Sequence, residues 1–191
     1  MRPLFFLSAT EMAEQVRLKK LSPVELLDTH LARIEALNPK LNAFVQLDTE
    51  RARRQAQGAE AAVMRGEAVG PLHGVPISIK SSIEVAGLRC EAGTRLRAGL
   101  VASRDAPLVS RLRAAGAVVM GVTNTPELLM AWETDNLLYG RTNNPWALAR
   151  TAGGSSGGEA AAIASGCSAG GVGSDGEDPF VYPRISAASA V

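Results

Sequence analysis

The hydrophobic pattern divides the chain into helical stretches alternating with short apolar runs. Ser8-Ala9-Thr10-Glu11 has the spacing of a capping box and predicts a short first helix. Ser22-Pro23-Val24-Glu25 opens a second, with Pro23 at the favoured first helical position. Leu27, Leu31, Ile34 and Leu37 follow at helical spacing and give it one apolar face, and Asn38-Pro39 predicts its end. Residues 48–64 predict a third helix, with Arg51, Arg53 and Arg54 as a solvated basic surface. Gly66 to Gly74 reads as a loop. Residues 75–80 alternate as a strand, with Val75, Ile77 and Ile79 on one side and Pro76, Ser78 and Lys80 on the other. Residues 103–115 predict a helix entered through Asp105 and Pro107. Residues 117–122, A-V-V-M-G-V, form the continuous apolar run of a buried parallel strand. Such alternation predicts an α/β layered fold, with no internal repeat and no boundary inside it.

Composition narrows the function classes. The chain has 191 residues, enough for one domain with a real core. Its net charge is +1, which gives no footing for nucleic acid, and 4% aromatic residues disfavour base-stacking platforms. Cys90 and Cys167 sit in no metal or redox spacing and are expected to be buried thiols. No apolar run approaches the ~20 residues of a membrane span, and the apolar stretch at residues 4–7 is too short for a signal peptide. The expectation is a cytoplasmic protein without a membrane partner.

The chemistry is concentrated at residues 149–166, A-R-T-A-G-G-S-S-G-G-E-A-A-A-I-A-S-G. Gly153, Gly154, Gly157 and Gly158 bracket Ser155 and Ser156, and glycine lets other groups approach the backbone closely. A flexible Gly/Ser linker has the same composition, but the apolar helix start that follows argues for an ordered centre. The stretch also satisfies G-x-S-x-G, the nucleophile elbow of an α/β-hydrolase. That arrangement needs a histidine base after the serine, and His30 and His73 both precede it. The phosphate-cradling P-loop pattern fails too, because no Lys-Ser/Thr pair follows the glycines.

Further blocks accompany this run: P-L-H-G-V-P-I-S-I-K at 71–80, V-A-G-L at 85–88, G-V-T-N-T-P-E at 121–127, E-T-D-N-L-L-Y-G-R-T-N-N-P-W at 133–146 and G-V-G-S-D-G at 171–176. In this order they resemble the amidase signature family, serine hydrolases that cleave carboxamides. The resemblance implies a mixed sheet with helices on both faces. Members are generally more than twice this long, so it also implies that residues 1–176 are the amino-terminal part of an amidase domain, with a sheet left incomplete by the absent second half. It implies a Ser-Ser-Lys triad, no metal and no cofactor. Lys80 matches the proton-transfer lysine, a role that requires a neutral amine, which burial favours. Ser155 matches the bridging serine, held in a cis peptide in the family. Ser156 and Asp175 are expected to support the turn by hydrogen bonds. Leu129, Met130 and Ala131 match the loop lining the acyl side of the substrate pocket. Asp135, Asn136, Arg141 and Asn144 are expected to tie loops together. The chain departs from the family at Ser81-Ser82, where many members carry Asp-Asn. The implied partner is a small-molecule amide; homo-oligomerisation stays open.

The pattern breaks after Gly176. The family continues G-G-S-I-R-I-P-A, and its nucleophile lies about two dozen residues after the bridging serine. That position holds Pro179, which has no hydroxyl and no backbone N–H. Codons for Glu177 to Arg184, read one base earlier, permit Gly, Gly, Ser, Ile, Arg, Ile, Pro and Ala. This predicts a displaced reading frame over 177–191 and an inactive chain. Two alternatives remain at this point: a non-catalytic binding or regulatory fragment, and the A-type subunit of a tRNA-dependent amidotransferase.

Overall fold

A computed structural model describes residues 2–174. Helix α1 spans Ala9–Arg17 and carries the expected capping box, Ser8 accepting from the Glu11 amide and Glu11 accepting from that of Ser8. Helix α2 spans Pro23–Leu41, with Ser22 capping the amides of Val24 and Glu25. It does not stop at Asn38-Pro39: Pro39 sits in its last turn, and termination falls to Asn42 in the left-handed conformation. The Asn38 side chain holds this end, its Oδ1 accepting from the amides of Ala43 and Phe44 and its Nδ2 donating to the Phe44 carbonyl. These bonds and the burial of Leu41 outweigh the lost proline donor.

Strand β1 (Phe44–Leu47) and helix α3 (Thr49–Met64, capped by Asp48) follow. Of the predicted basic surface, Arg53 and Arg54 are exposed, whereas Arg51 is half-buried and donates to the Ala86 carbonyl. Strand β2 is Pro76–Lys80, helix α4 is Pro107–Ala114 and strand β3 is Val118–Thr123. Helix α4 is shorter than its pattern suggests. Asp105 is not its cap but accepts from the Ala86 amide and pairs with Arg113 in the last turn of the helix. A hairpin of β4 (Asn143–Asn144) and β5 (Ala147–Thr151) then leads to helix α5 (Gly157–Ala164) and strand β6 (Gly171–Val172).

The main sheet has the order β1-β3-β2-β6, with β2, β3 and β6 parallel and β1 antiparallel to β3. Every residue of β2 and β3 is buried, so the α/β class read from the apolar runs is the one observed, and the sheet is mixed as the resemblance implies. The predicted sides of β2 separate cleanly. Val75, Ile77 and Ile79 join a core with Met12, Val16, Leu26 and Val109, while the opposite face meets a second core containing Ala161 and Ala162 of α5. Strand β3 carries a bulge: Val119 pairs with Ile77, but Gly121 pairs with Ser78. The extra residue exchanges the two sides from that point on. Val122 therefore joins the apolar core, and Thr123 turns to the Lys80 side as that residue's register partner. Gly121 is needed there, since a Cβ would lie 2.2 Å from the Gln46 carbonyl oxygen. Among the described residues no helix is long and apolar enough to cross a membrane.

Candidate active site

Lys80 ends β2 on the face packed by α5. Its side chain is fully buried. The amine lies 2.7 Å from Ser155 Oγ, 3.0 Å from Ser156 Oγ, 3.1 Å from Ser174 Oγ and 3.2 Å from the Ser174 carbonyl oxygen. The carboxyl ends of parallel strands are where open α/β sheets place ligands, and the amine and hydroxyls converge at such an end.

The glycine-rich run carries the serines to the lysine. The Gly154–Ser155 peptide is cis. Thr125 Oγ1 donates to the Ser155 carbonyl, the Thr134 amide donates to that of Gly153, and Thr134 Oγ1 accepts from the Gly157 amide. Beneath the run, Asn124 donates to the Gly140 carbonyl and to Thr142, and accepts from Asn136. Asn136 also donates to the Thr125 carbonyl, which is the loop-tying role expected of it. Asp135 departs from that expectation: it is exposed, and its side chain makes no hydrogen bond or ion pair among the described residues. Arg141 bonds Asn143 and the Leu148 carbonyl, and Asn144 accepts from the Trp146 amide. Helix α5 starts close against β3, since a Cβ at Gly158 would lie 2.4 Å from the Asn124 carbonyl oxygen.

Sequence reading missed one group altogether. Glu159, in the first turn of α5, is 3% exposed. Ser78 Oγ donates to its Oε2 at 2.6 Å, and Thr123 Oγ1 to its Oε1 at 3.0 Å. Burial pushes its pKa up to about 7, against the opposing pull of these two hydrogen bonds and of Lys80. An acid near a helix N-terminus is ordinarily a solvated dipole partner. The available signal was a lone carboxylate between paired glycines and Ala160-Ala161-Ala162-Ile163. Ser174 was missed as well.

Ser156 bonds the lysine and the Ser174 amide and carbonyl, so it sits inside the cluster. Leu129 is half-buried, Met130 is 85% exposed and Ala131 is exposed. That loop meets the glycine run through its backbone, the Ala131 carbonyl oxygen lying 2.8 Å from where a Gly154 Cβ would be. Asp175 and Pro179 lie outside the described residues. His30 and His73 bond the carbonyls of Gly166 and Ala59, and Cys90 and Cys167 are free buried thiols. A groove of about 800 Å³ between α2 and α3, lined in part by Asp28, Leu31, Glu35 and Arg53, contains none of the clustered hydroxyls or the amine. Among the described residues no three His, Cys, Asp or Glu side chains are placed to hold a metal.

The family model described as Amidase matches residues 25–183. The chain is 47% identical over 180 residues to an acylamidase of Rhodococcus erythropolis, covering 94% of this chain and 38% of that protein. It is 40% identical over 172 residues to the A-type subunit of the glutamyl-tRNA(Gln) amidotransferase of Carboxydothermus hydrogenoformans, covering 90% of this chain and 36% of that one. Among solved structures, a fatty acid amide hydrolase superposes with a TM-score of 0.86 at 32% identity, over 92% of this chain and 32% of that chain. The chain thus spans well under half the length of the relatives it matches.

Proposed function

The chain belongs to the amidase family, and from that premise we propose that the Lys80–Ser155 cluster is the proton-relay part of a centre that hydrolyses carboxamide C–N bonds. The observation that carries the reading is the fully buried amine 2.7 Å from Ser155 Oγ. In an intact centre a serine hydroxyl passes its proton to Ser155 while Ser155 passes its own to the neutral Lys80 amine. The serine oxygen attacks the amide carbon, and backbone N–H groups stabilise the oxyanion. The relayed proton leaves with the amine, and water then releases the acid. Ser156 holds the loop, and Leu129, Met130 and Ala131 border the acyl side. The centre uses no metal or cofactor.

In this chain the nucleophile position is Pro179, so it does not complete the cycle; residues 177–191 read as out-of-frame text after the 1–176 domain portion. Resequencing the coding DNA across Gly173 to Val191 is expected to find a missing base that restores Gly-Gly-Ser. The frame-restored protein is expected to hydrolyse simple aryl and alkyl amides and to lose that activity in Lys80→Ala. The 191-residue chain is expected to be inert; turnover that disappears in Lys80→Ala would overturn this. The similarity to one component of an amidotransferase favours one second reading, a chain acting in a complex on misacylated tRNA. Co-purification with partner proteins would support it, whereas a stable complex without hydrolysis in either form would point to a binding fragment.

A further inference from the structure

Glu159 lies three residues beyond Ser156, in the first turn of α5, and its carboxyl is held at both oxygens. Ser78 precedes Lys80 by two residues on the same side of β2, and Thr123 is the register partner of Lys80 on β3. One carboxyl therefore bridges the helix that follows the serines to both strands that carry and flank the lysine. Space for it depends on Gly171, where a Cβ would lie 2.1 Å from Oε2 and 2.9 Å from Ser78 Oγ. For stability alone, an apolar side chain of similar volume would serve as well in such a place.

We propose that Glu159 is a positioning residue for the Lys80–Ser155 pair, a carboxyl clamp that sets the amine against the serine hydroxyl and whose charge is coupled to that of the amine. Its catalytic meaning rests on the reading of that pair given above. Burial and the bonds from Ser78 and Thr123 act most strongly on the carboxyl, and the Lys80 amine, when protonated, adds a weaker pull. Strand β3, V-V-M-G-V-T, and strand β6, Gly171-Val172, contribute no ionisable side chain, and α5 carries no other. Helix α2 contributes His30 and Arg33, which bond the carbonyls of Gly166 and Ser165 at the opposite end of α5. Two buried groups of opposite charge that interact by more than about one pK unit titrate as a pair. An ionised Glu159 helps Lys80 keep its proton, and a protonated Glu159 withdraws that help.

The chain has four lysines, Lys19, Lys20, Lys40 and Lys80. An NMR titration of ¹³Cε-lysine in the 191-residue protein, assigned with Lys80→Met, therefore reads proton binding at Lys80 with no turnover. Glu159→Gln is expected to lower the Lys80 midpoint, an about tenfold loss of proton affinity. Thr123→Val keeps the carboxyl but removes one bond to its ionised form, and is expected to shift the midpoint the same way by less. A purely structural clamp would lower the melting temperature and leave the midpoint in place. An unchanged or raised midpoint in both variants overturns the proposal; should the Gln variant not fold, the Val variant decides alone by the same criterion. Hydrolysis has no part in this readout, so an inert frame-restored protein would sink the hydrolase reading while leaving the result on Glu159 intact.

Discussion

One face of the β2–β3 pair presents Ile77, Ile79, Val119 and Val122 to α1, α2 and α4; the other presents Ser78, Lys80 and Thr123 to α5. Both are equally buried. The first is held by area removed from water and tolerates any arrangement that fills it. The second is held by hydrogen bonds that must all be made, because a buried polar atom without a partner costs more than the bond itself gains. Burial is therefore common to scaffold and site, and only the chemistry of the buried atoms separates them.

The largest test of this contrast is on the apolar side. Ile79→Ala is expected to destabilise the chain by about 4 kcal/mol, from lost transfer energy plus a cavity, measured by denaturant unfolding. It should leave the titration of Lys80 unmoved. A shifted Lys80 midpoint in this variant would break the separation of the two faces.

Next is pH. Burial pushes the His30 pKa down from its ordinary 6.5 to about 4, so the unfolded chain binds a proton that the folded chain refuses. Stability from this group falls as the pH drops from 6.5 to 4. Glu159 has the opposite sign: its pKa rises from 4.5 to about 7, so the folded chain binds the extra proton, and stability falls as the pH climbs from 4.5 to 7. Each slope is worth ~3 kcal/mol over its window, and between 4.5 and 6.5 they oppose one another. The wild-type chain should be nearly flat there. His30→Leu should unmask a gain in stability on acidification, and Glu159→Gln a loss; unfolding curves at pH 4.5, 5.5 and 6.5 check both. Two flat variants would refute the opposition.

A smaller effect sharpens the polar side. Ser78→Ala removes the donor to Glu159 Oε2 and should cost about 2 kcal/mol at pH 8, where the carboxyl is ionised. The cost should shrink below pH 6 as the carboxyl protonates. The smallest effect belongs to neither face: Glu50→Ala, breaking an exposed pair with Arg54, should change stability by less than about 0.5 kcal/mol.

Much of this was legible in the chain itself. Caps at Ser8 and Ser22, the alternation that puts Lys80 opposite Ile79, the apolar run of β3 and the paired serines among glycines are local signals, because capping, strand period and glycine tolerance act over a few residues. They do not by themselves name Lys80 or Ser155, since a lysine at a strand end is ordinarily solvated; both are singled out by the resemblance to the amidase signature family. What they could not supply is distance. Ser155 meets Lys80 across 75 positions of sequence, and Ser78 meets Glu159 across 81. Pro39 reads as a stop until the Asn38 bonds and the αL Asn42 show where the helix can end. The bulge in β3, which brings Thr123 to the Lys80 side, has no signal in a continuous apolar run. Glu159 reads as a solvated helix-start acid until packing removes its water. The sequence by itself determined which residues could form strands and helices and, through the order of its motifs, which family the chain belongs to; only the tertiary structure decided which polar groups would share one water-free face, since desolvation and long-range register are properties of the packed whole and not of any local stretch.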